Sequence, residues 1–154
     1  MFNFKKNSIG KIKKISEDFL KKITPEAEIE VSVADDETVT VDAKVADPQT
    51  LIGQDAETLQ AMQHLLRVIL RKSVDGIGRV ELDVNGYRKK RKEYLKELAV
   101  AAANDVALSK KEISLPAMGA YERRLVHMEL AARIDIATES RGDEPNRRIV
   151  IKPA

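Results

Sequence analysis

The most constraining feature of this sequence is the repeated change of its hydrophobic period, from about 3.6 residues, which is typical of helices, to 2 residues, which is typical of strands. Residues 28–45 alternate apolar and polar side chains on both sides of the turn Asp35-Asp36, which predicts a hairpin with one buried face. Residues 79–85 alternate again. Helical spacing covers residues 8–23, a short stretch from Asp47-Pro48 to Gly53, and residues 56–72. The first half therefore predicts the order α-β-β-α-α-β.

The second half repeats this mixture of periods in another order. We expect a long helix over 87–108, a short strand over 112–115 that ends at Pro116, a helix over 119–133, and two strands over 134–140 and 147–151. The predicted fold class is α+β, with one domain over 1–85 and a second, of order α-β-α-β-β, over 86–154. The apolar stripes place Ile23, Leu65 and Tyr94 among the buried residues of their helices.

The charge is unevenly divided between the halves. Residues 1–84 carry 12 lysines and arginines against 15 acids, whereas residues 85–154 carry 15 against 10. Residues 24–66 contain ten acids and only Lys44 as a base, so this region repels a polyanion at long range. The second half is the better candidate for meeting phosphate groups.

The composition excludes several classes of protein. The chain has no cysteine, and its two histidines, His64 and His127, are far apart, so we expect no metal site and no cofactor. No apolar run approaches the roughly 20 residues that span a bilayer, and the chain begins with a Lys-rich segment instead of a signal peptide. We expect no transmembrane segment and a cytoplasmic location.

Nothing in the sequence indicates an enzyme. No pair of carboxylates, Gly-rich phosphate loop or Ser/His/Asp set is recognisable, and His127 alone offers a general base without a partner. We therefore expect neither catalysis nor a small-molecule substrate.

A glycine loop lies between the second and third predicted helices and reads Gly53-Gln54-Asp55-Ala56. The element order and this loop resemble a type II KH domain, in which a GxxG loop clamps about four nucleotides of a single strand. Here Ala56 replaces the second glycine, and Asp55 stands where a phosphate would approach. Gly53 is open to two interpretations, a helix-terminating glycine in a domain without a ligand or part of a working loop.

The second half contains Arg123-x-x-x-His127 on a predicted helix, followed by two strands and a Pro-Asn-Arg turn. Residues four apart share one helical face, so the Arg fork and the imidazole could grip a phosphate together. Arg124, Arg147 and Arg148 would widen this basic surface. The stretch YERRLVHMELAARIDIATESRGDEPNRRIVIKP resembles the R-3-H domain, named after Arg-x-x-x-His.

Residues 28–153 resemble, in order, the KH plus R-3-H architecture of the bacterial Jag family, also called SpoIIIJ-associated proteins. The segments that carry the resemblance are NGYRKKRKEYLKELA, SLPAMGAYERRLVHMEL and TESRGDEPNRRIVIKP. The resemblance implies that Arg123 and His127 are the binding pair. Members with a longer N-terminus carry an additional domain, for which the first 25 residues here are too few.

Two basic segments remain open to alternatives. The run from Arg88 to Lys92, with Lys89 and Arg91, could track phosphates or could simply be solvated. The Lys-rich helix over 8–23 could lie on an anionic membrane or pack on a sheet.

The leading hypothesis is a non-catalytic RNA chaperone or post-transcriptional regulator, which binds the backbone of single-stranded RNA or DNA with little sequence preference. The alternative is an adaptor that docks a protein partner, such as a small KH-domain protein, through the acidic first half and Asp55.

Overall fold

The computed structural model describes residues 6–154; residues 1–5, where the sequence predicts no signal peptide, lie outside the described part. The fold is α+β and divides into two compact units, of which the first ends at Tyr87 and the second runs from Arg88 to Ala154. Each unit has its own three-stranded sheet and its own hydrophobic core.

The first unit is built around a mixed sheet of order β1-β2-β3. β1 and β2 form an antiparallel hairpin, and β3 pairs in parallel with β2 after a helical crossover. The alternation of β2 buries Val39, Val41 and Ala43 and leaves the intervening side chains on the other face. Its elements are α1 (Lys6–Lys21), β1 (Glu28–Val33), β2 (Val39–Lys44), α2 (Gln49–Ile52), a 3-10 turn (Gln54–Ala56), α3 (Glu57–Ser73) and β3 (Val80–Val84).

The helices of the first unit cover one face of this sheet. α3 buries Leu59, Met62, Leu66 and Leu70 at intervals of three or four residues, and α1 contacts both β1 and α3. Packing of α1 through Ile12 and Leu20, which are both fully buried, accounts for its apolar residues without a membrane.

Two predictions about these helices are wrong. Ile23 is 49% exposed because α1 ends at Lys21, where the Leu20 carbonyl already accepts hydrogen bonds from the amides of Ile23 and Thr24. Leu65 is 52% exposed because the buried stripe of α3 passes through Leu66 instead.

After β3, the side chain of Asn85 extends the hydrogen bonding of the sheet by one step. Asn85 has a positive φ of 53°, and its Oδ1 accepts a hydrogen bond from the Val45 amide at 2.9 Å. Its Nδ2 donates to the Val45 carbonyl at 2.8 Å. This pair of bonds imitates one step of a strand ladder and fixes the end of the sheet.

The face of this sheet away from the helices is acidic. The strand register places Glu30, Asp42 and Asp83 in one row across β1, β2 and β3. Partial burial raises the pKa of the Asp42 carboxyl, and the negative charges of Asp83 and Glu30 raise it further.

The second unit has an antiparallel sheet of order β4-β6-β5, which packs against helices on one face. Ile136, Ile149 and Ile151 of the strands meet Val126 and Leu130 of α5 in its core. Its elements are α4 (Tyr87–Ser109), β4 (Ile113–Ser114), α5 (Ala120–Leu130), β5 (Ile136–Arg141) and β6 (Arg148–Pro153).

The prediction that Tyr94 is buried is wrong. The buried stripe of α4 begins one residue later, at Leu95, and continues through Ala99, Ala102 and Val106. Tyr94 is 51% exposed, and the Arg91 guanidinium lies 5.6 Å from the centre of its ring. Over residues 6–154, no helix has the length and hydropathy needed to cross a membrane.

Candidate nucleic-acid interface

Arg123 lies on the side of α5 that faces the sheet, and its side chain is only 10% exposed. Its Nη1 donates to the Met118 carbonyl at 2.7 Å and lies 2.7 Å from Oε1 of Glu144. Glu144 belongs to the turn between β5 and β6, and its side chain is 58% exposed. The guanidinium therefore ties α5 to this turn, with its charge neutralised from the solvent side.

His127, one helical turn after Arg123, is half-buried. Its Nδ1 lies 2.6 Å from Oγ1 of Thr138 on β5. Ser140, two residues further along the same face of β5, accepts a hydrogen bond from Nε of Arg147 at 2.8 Å. The hydroxyls of Thr138 and Ser140 thus hold the His127 imidazole and the Arg147 guanidinium on the same face of β5.

We call Arg123, Arg124, His127 and Arg147 the α5–β5 face. The structure brings Arg123, His127 and Arg147 together through their contacts with the β5 strand and the β5–β6 turn. Arg124 is exposed on α5 beside them. Two exposed guanidiniums beside an imidazole offer planar donors to a phosphate, and Glu144 is the acid in contact with this face.

Arg148 does not join this face. Arg148 is the first residue of β6, and side chains alternate between the two faces of a strand. Because Ile149 and Ile151 face the core, on the side of α5, Arg148 lies on the other side of the sheet. That side carries a row of ion pairs, in which Glu139 pairs with both Lys152 and Arg141, and Arg141 pairs with Glu112. The hydrogen bond from Lys152, followed by that from Arg141, lowers the pKa of Glu139.

The basic start of α4 is also separate from the α5–β5 face. Arg91 donates Nε to Oε1 of Glu122 at 2.8 Å and Nη2 to Oε2 at 3.2 Å, so this guanidinium forms a two-pronged ion pair with α5. Glu122 and Arg124 are two residues apart and project about 200° from each other around the helix. Arg88 and Lys89, both exposed, extend the basic surface on this Glu122 flank of α5.

The glycine loop of the first unit is shaped by its own packing. Gly53 has φ 73° and ψ −177°, a conformation that is essentially restricted to glycine, and a Cβ there would overlap Oγ1 of Thr58. Asp55 and Ala56 both have left-handed backbones, with φ of 50° and 60°. Gln54 and Asp55 are exposed, whereas Ala56 packs on the core. These contacts account for Gly53 as the residue that ends α2, without a ligand.

Three residues of the site were not predicted from the sequence: Thr138, Ser140 and Glu144. The signal for the first two was present, because they are polar residues in the register of Ile136, on the face of β5 that packs on the core. The sequence around Glu144 has no comparable pattern, because acidic residues are common in polar turns.

Comparison with known proteins identifies the second unit. Residues 93–153 match the R-3-H domain family. The chain is 37% identical over 126 residues to an RNA-binding protein KhpB of Clostridium symbiosum, in an alignment that covers 80% of this chain and 57% of that protein. It is 38% identical over 103 residues to an RNA-binding protein KhpB of Bacillus subtilis, which covers 66% of this chain and 50% of that protein. A KhpB of Lactiplantibacillus plantarum is 37% identical over 101 residues, which is 31% of its length. The chain thus spans about a third to a little over half of these relatives.

Proposed function

We propose that this chain, which belongs to the Jag (SpoIIIJ-associated) family, is a non-catalytic protein that binds single-stranded RNA through the α5–β5 face of its R-3-H domain. The observation that carries the proposal is the grouping of His127 and Arg147 on hydroxyls of β5, with Arg123 tied to the adjoining β5–β6 turn through Glu144. The relatives, which are named RNA-binding proteins, support the same class of ligand. An RNA chaperone or post-transcriptional regulator in the cytoplasm fits such a surface.

Phosphate groups reach this face in two ways. Arg124 and Arg147 are exposed and can meet a phosphate directly, and His127 can donate to a phosphate oxygen through Nε2. Arg123 can do so only when the Glu144 carboxylate, which holds its guanidinium at 2.7 Å, gives way to the phosphate. Arg123 therefore exchanges one anion for another, whereas Arg124 and Arg147 add new contacts. Arg148 and the cations Arg88, Lys89 and Arg91 would contribute only where the strand continues past this face.

Contacts with the backbone do not read sequence. We therefore expect binding to single strands of any sequence, RNA or DNA, with strong dependence on salt.

The first unit is a type II KH-like domain in this proposal, and the domains are those over 1–85 and 86–154. Its element order supports this, as does the position of the loop Gly53–Ala56 between two helices. Since Asp55 replaces a loop residue that would face phosphate, the first unit contributes orientation more than affinity.

The experiment is a salt titration of fluorescence anisotropy with a labelled single-stranded RNA and the matching duplex. Arg147→Ala should weaken binding to all sequences and reduce the slope of log affinity against log salt by roughly 0.7, the value for one phosphate contact of a single strand. His127→Ala combined with Arg123→Ala should abolish binding at about 100 mM salt.

Arg79→Ala is the matched control, since it removes the same charge from an exposed ion pair of the first unit. The Arg123 variant needs a circular dichroism spectrum, because its side chain is buried and ties α5 to the β5–β6 turn. An Arg147→Ala protein with the affinity and salt slope of the Arg79→Ala protein would refute the proposed site.

The second candidate function is an adaptor that docks a protein partner, for example a small KH-domain protein, through the acidic first unit. The row of Glu30, Asp42 and Asp83 across its sheet and the exposed Asp55 favour it. Asp55→Lys should then impair capture of the partner and leave RNA binding intact or stronger. Capture that survives this substitution would rule out Asp55 as part of the docking surface.

A further inference from the structure

A line of exposed apolar side chains runs along α5 beside the cations of the α5–β5 face. Tyr121 is 73% exposed and Met128 is 65% exposed. They are seven residues apart, which places them about 20° from each other around the helix and about 10.5 Å apart along it. Two large apolar groups therefore point in nearly the same direction into solvent.

The cations follow this line on one side. Around the helix, Arg124 lies about 60° from Tyr121, and His127 lies about 60° further in the same direction. A single strand that places its phosphates against Arg124 and His127 therefore has Tyr121 and Met128 on its flank. The spacing of about 10.5 Å corresponds to about three stacked base steps of 3.4 Å.

Within the second unit, the Tyr121 ring differs from that of Tyr94 in its surroundings. Tyr94, the other exposed tyrosine there, lies under the Arg91 guanidinium at 5.6 Å, whereas no guanidinium of residues 6–154 covers the Tyr121 ring. An aromatic ring and a thioether next to cations suit a nucleobase, which presents an apolar face attached to an anionic backbone. The positive charge of this half of the chain argues for the same occupant.

We propose that Tyr121 and Met128 form a stacking surface for unpaired bases of the strand whose phosphates meet Arg124 and His127. This inference rests on the proposed function, since it assigns the bases of the same ligand. It predicts selection against duplexes, because paired and stacked bases do not offer their faces to a protein side chain. Stacking tolerates every base, so the surface adds affinity without sequence preference.

The test uses the full chain, a labelled single-stranded RNA of mixed sequence, and an oligonucleotide of equal length and charge whose central sites are abasic. Wild-type protein should bind the abasic strand about 5- to 100-fold more weakly than the RNA. Tyr121→Ala should weaken RNA binding by a similar factor with an unchanged salt slope, and should leave binding to the abasic strand as in the wild type. Tyr121→Phe keeps the ring and should restore RNA affinity to within about twofold of the wild type.

Tyr94→Ala is the matched control, since it removes an exposed tyrosine from the same unit, and it should bind as the wild type does. Equal binding of the wild type to both strands, with a steep salt slope, would overturn the stacking surface and leave the phosphate site standing. Wild-type affinity in Tyr121→Ala would overturn it as well. Absence of binding to either strand would overturn both the stacking surface and the proposed function.

Discussion

At the scale of single residues, the ion pair between Arg123 and Glu144 determines whether the Arg123 guanidinium is available to a phosphate. The Arg123 side chain is 10% exposed, so its charge requires a partner within the protein, and that partner is Glu144, whose own side chain is 58% exposed. A phosphate that approaches from solvent therefore meets a carboxylate first. The guanidinium of the Arg-x-x-x-His motif is thus already paired with a carboxylate of the protein.

Glu144→Gln should strengthen RNA binding. The amide oxygen can still accept a hydrogen bond from Arg123, so the β5–β6 turn keeps its tie to α5, but the competing charge is gone. We expect a gain of roughly 1 kcal/mol, or about fivefold in affinity. The slope of log affinity against log salt should steepen by roughly 0.7, the value for one phosphate contact of a single strand. In the variant Arg123 can neutralise a phosphate without leaving a carboxylate unpaired. Anisotropy titrations over a range of salt concentrations measure both quantities.

Asp143→Asn is the control for this substitution, since it removes an equal charge from the neighbouring position of the same turn, which is exposed. It should raise affinity only slightly and leave the slope unchanged. If the two variants behave alike, the effect of Glu144 is a general one of charge, and Arg123 does not exchange its carboxylate for phosphate.

At the scale of elements, the loop between α2 and α3 combines a required glycine with two strained residues. Gly53 adopts a backbone that other residues avoid, whereas Asp55 and Ala56 adopt left-handed backbones that favour glycine or asparagine. The loop keeps the shape of a turn between two helices although one of its glycines is replaced.

Ala56→Gly should stabilise the first unit. A left-handed alanine costs about 1–2 kcal/mol, and glycine loses about 0.5–1 kcal/mol more conformational entropy on folding, which leaves a gain of up to about 1.5 kcal/mol. Amide hydrogen exchange of α3 and β3, which reports the opening of this unit alone, measures the change.

Ala61→Gly is the matched control, since Ala61 is exposed inside α3 and glycine should cost about 1 kcal/mol there. Slower exchange in Ala56→Gly together with faster exchange in Ala61→Gly is the expected result. Faster exchange in both would mean that the Ala56 methyl group, which packs on the core, outweighs the backbone strain.

At the scale of the whole molecule, charge is divided between the two units. The acids of the first sheet lie in a row across three strands, while the second half carries the excess of lysines and arginines. A polyanion is therefore attracted by one part of the chain and repelled by the other, over a range that the salt concentration sets.

Glu30→Gln combined with Asp42→Asn should change RNA binding only at low salt. The proposed phosphate contacts are in the second unit and do not include these two acids, so we expect only a screened effect of charge: a gain of up to about twofold at about 50 mM salt and none at about 150 mM, where the screening length is about 8 Å. Titrations at both concentrations test this. A gain of the same size at both would mean that RNA touches the acidic sheet.

The same variant also separates the two candidate functions. Asp42 has a raised pKa because burial and its acidic neighbours disfavour its charge. Its ionisation therefore destabilises the folded unit, by an amount that grows as pH rises from the ordinary carboxyl pKa and is complete above the raised pKa. Its replacement by Asn should therefore not destabilise the first unit at pH 7. Loss of partner binding in this variant would then report the docking surface itself and not unfolding.

Local patterns in the sequence predicted much of this protein. Alternation in β2, helical spacing in α3 and the Arg-x-x-x-His motif are local. They predicted the α+β class, the approximate ranges of the elements and the placement of Arg123 and His127 on one face of a helix. Errors arose at the edges of these patterns. Ile23, Leu65 and Tyr94 each lie next to a buried stripe, and a shift of one residue or an early helix end decides their exposure.

Only the tertiary structure decided what the functional side chains contact. The sequence gives no distance between Arg123 and Glu144, which are 21 positions apart, or between His127 and Thr138, and it does not show that Arg148 and Arg147 lie on opposite faces of a sheet. The grouping of the cations was thus unpredictable in detail, because it depends on how α5 packs across β5. Local sequence determines periodicity and residue chemistry, whereas packing between distant segments determines which charges meet solvent and which are already paired.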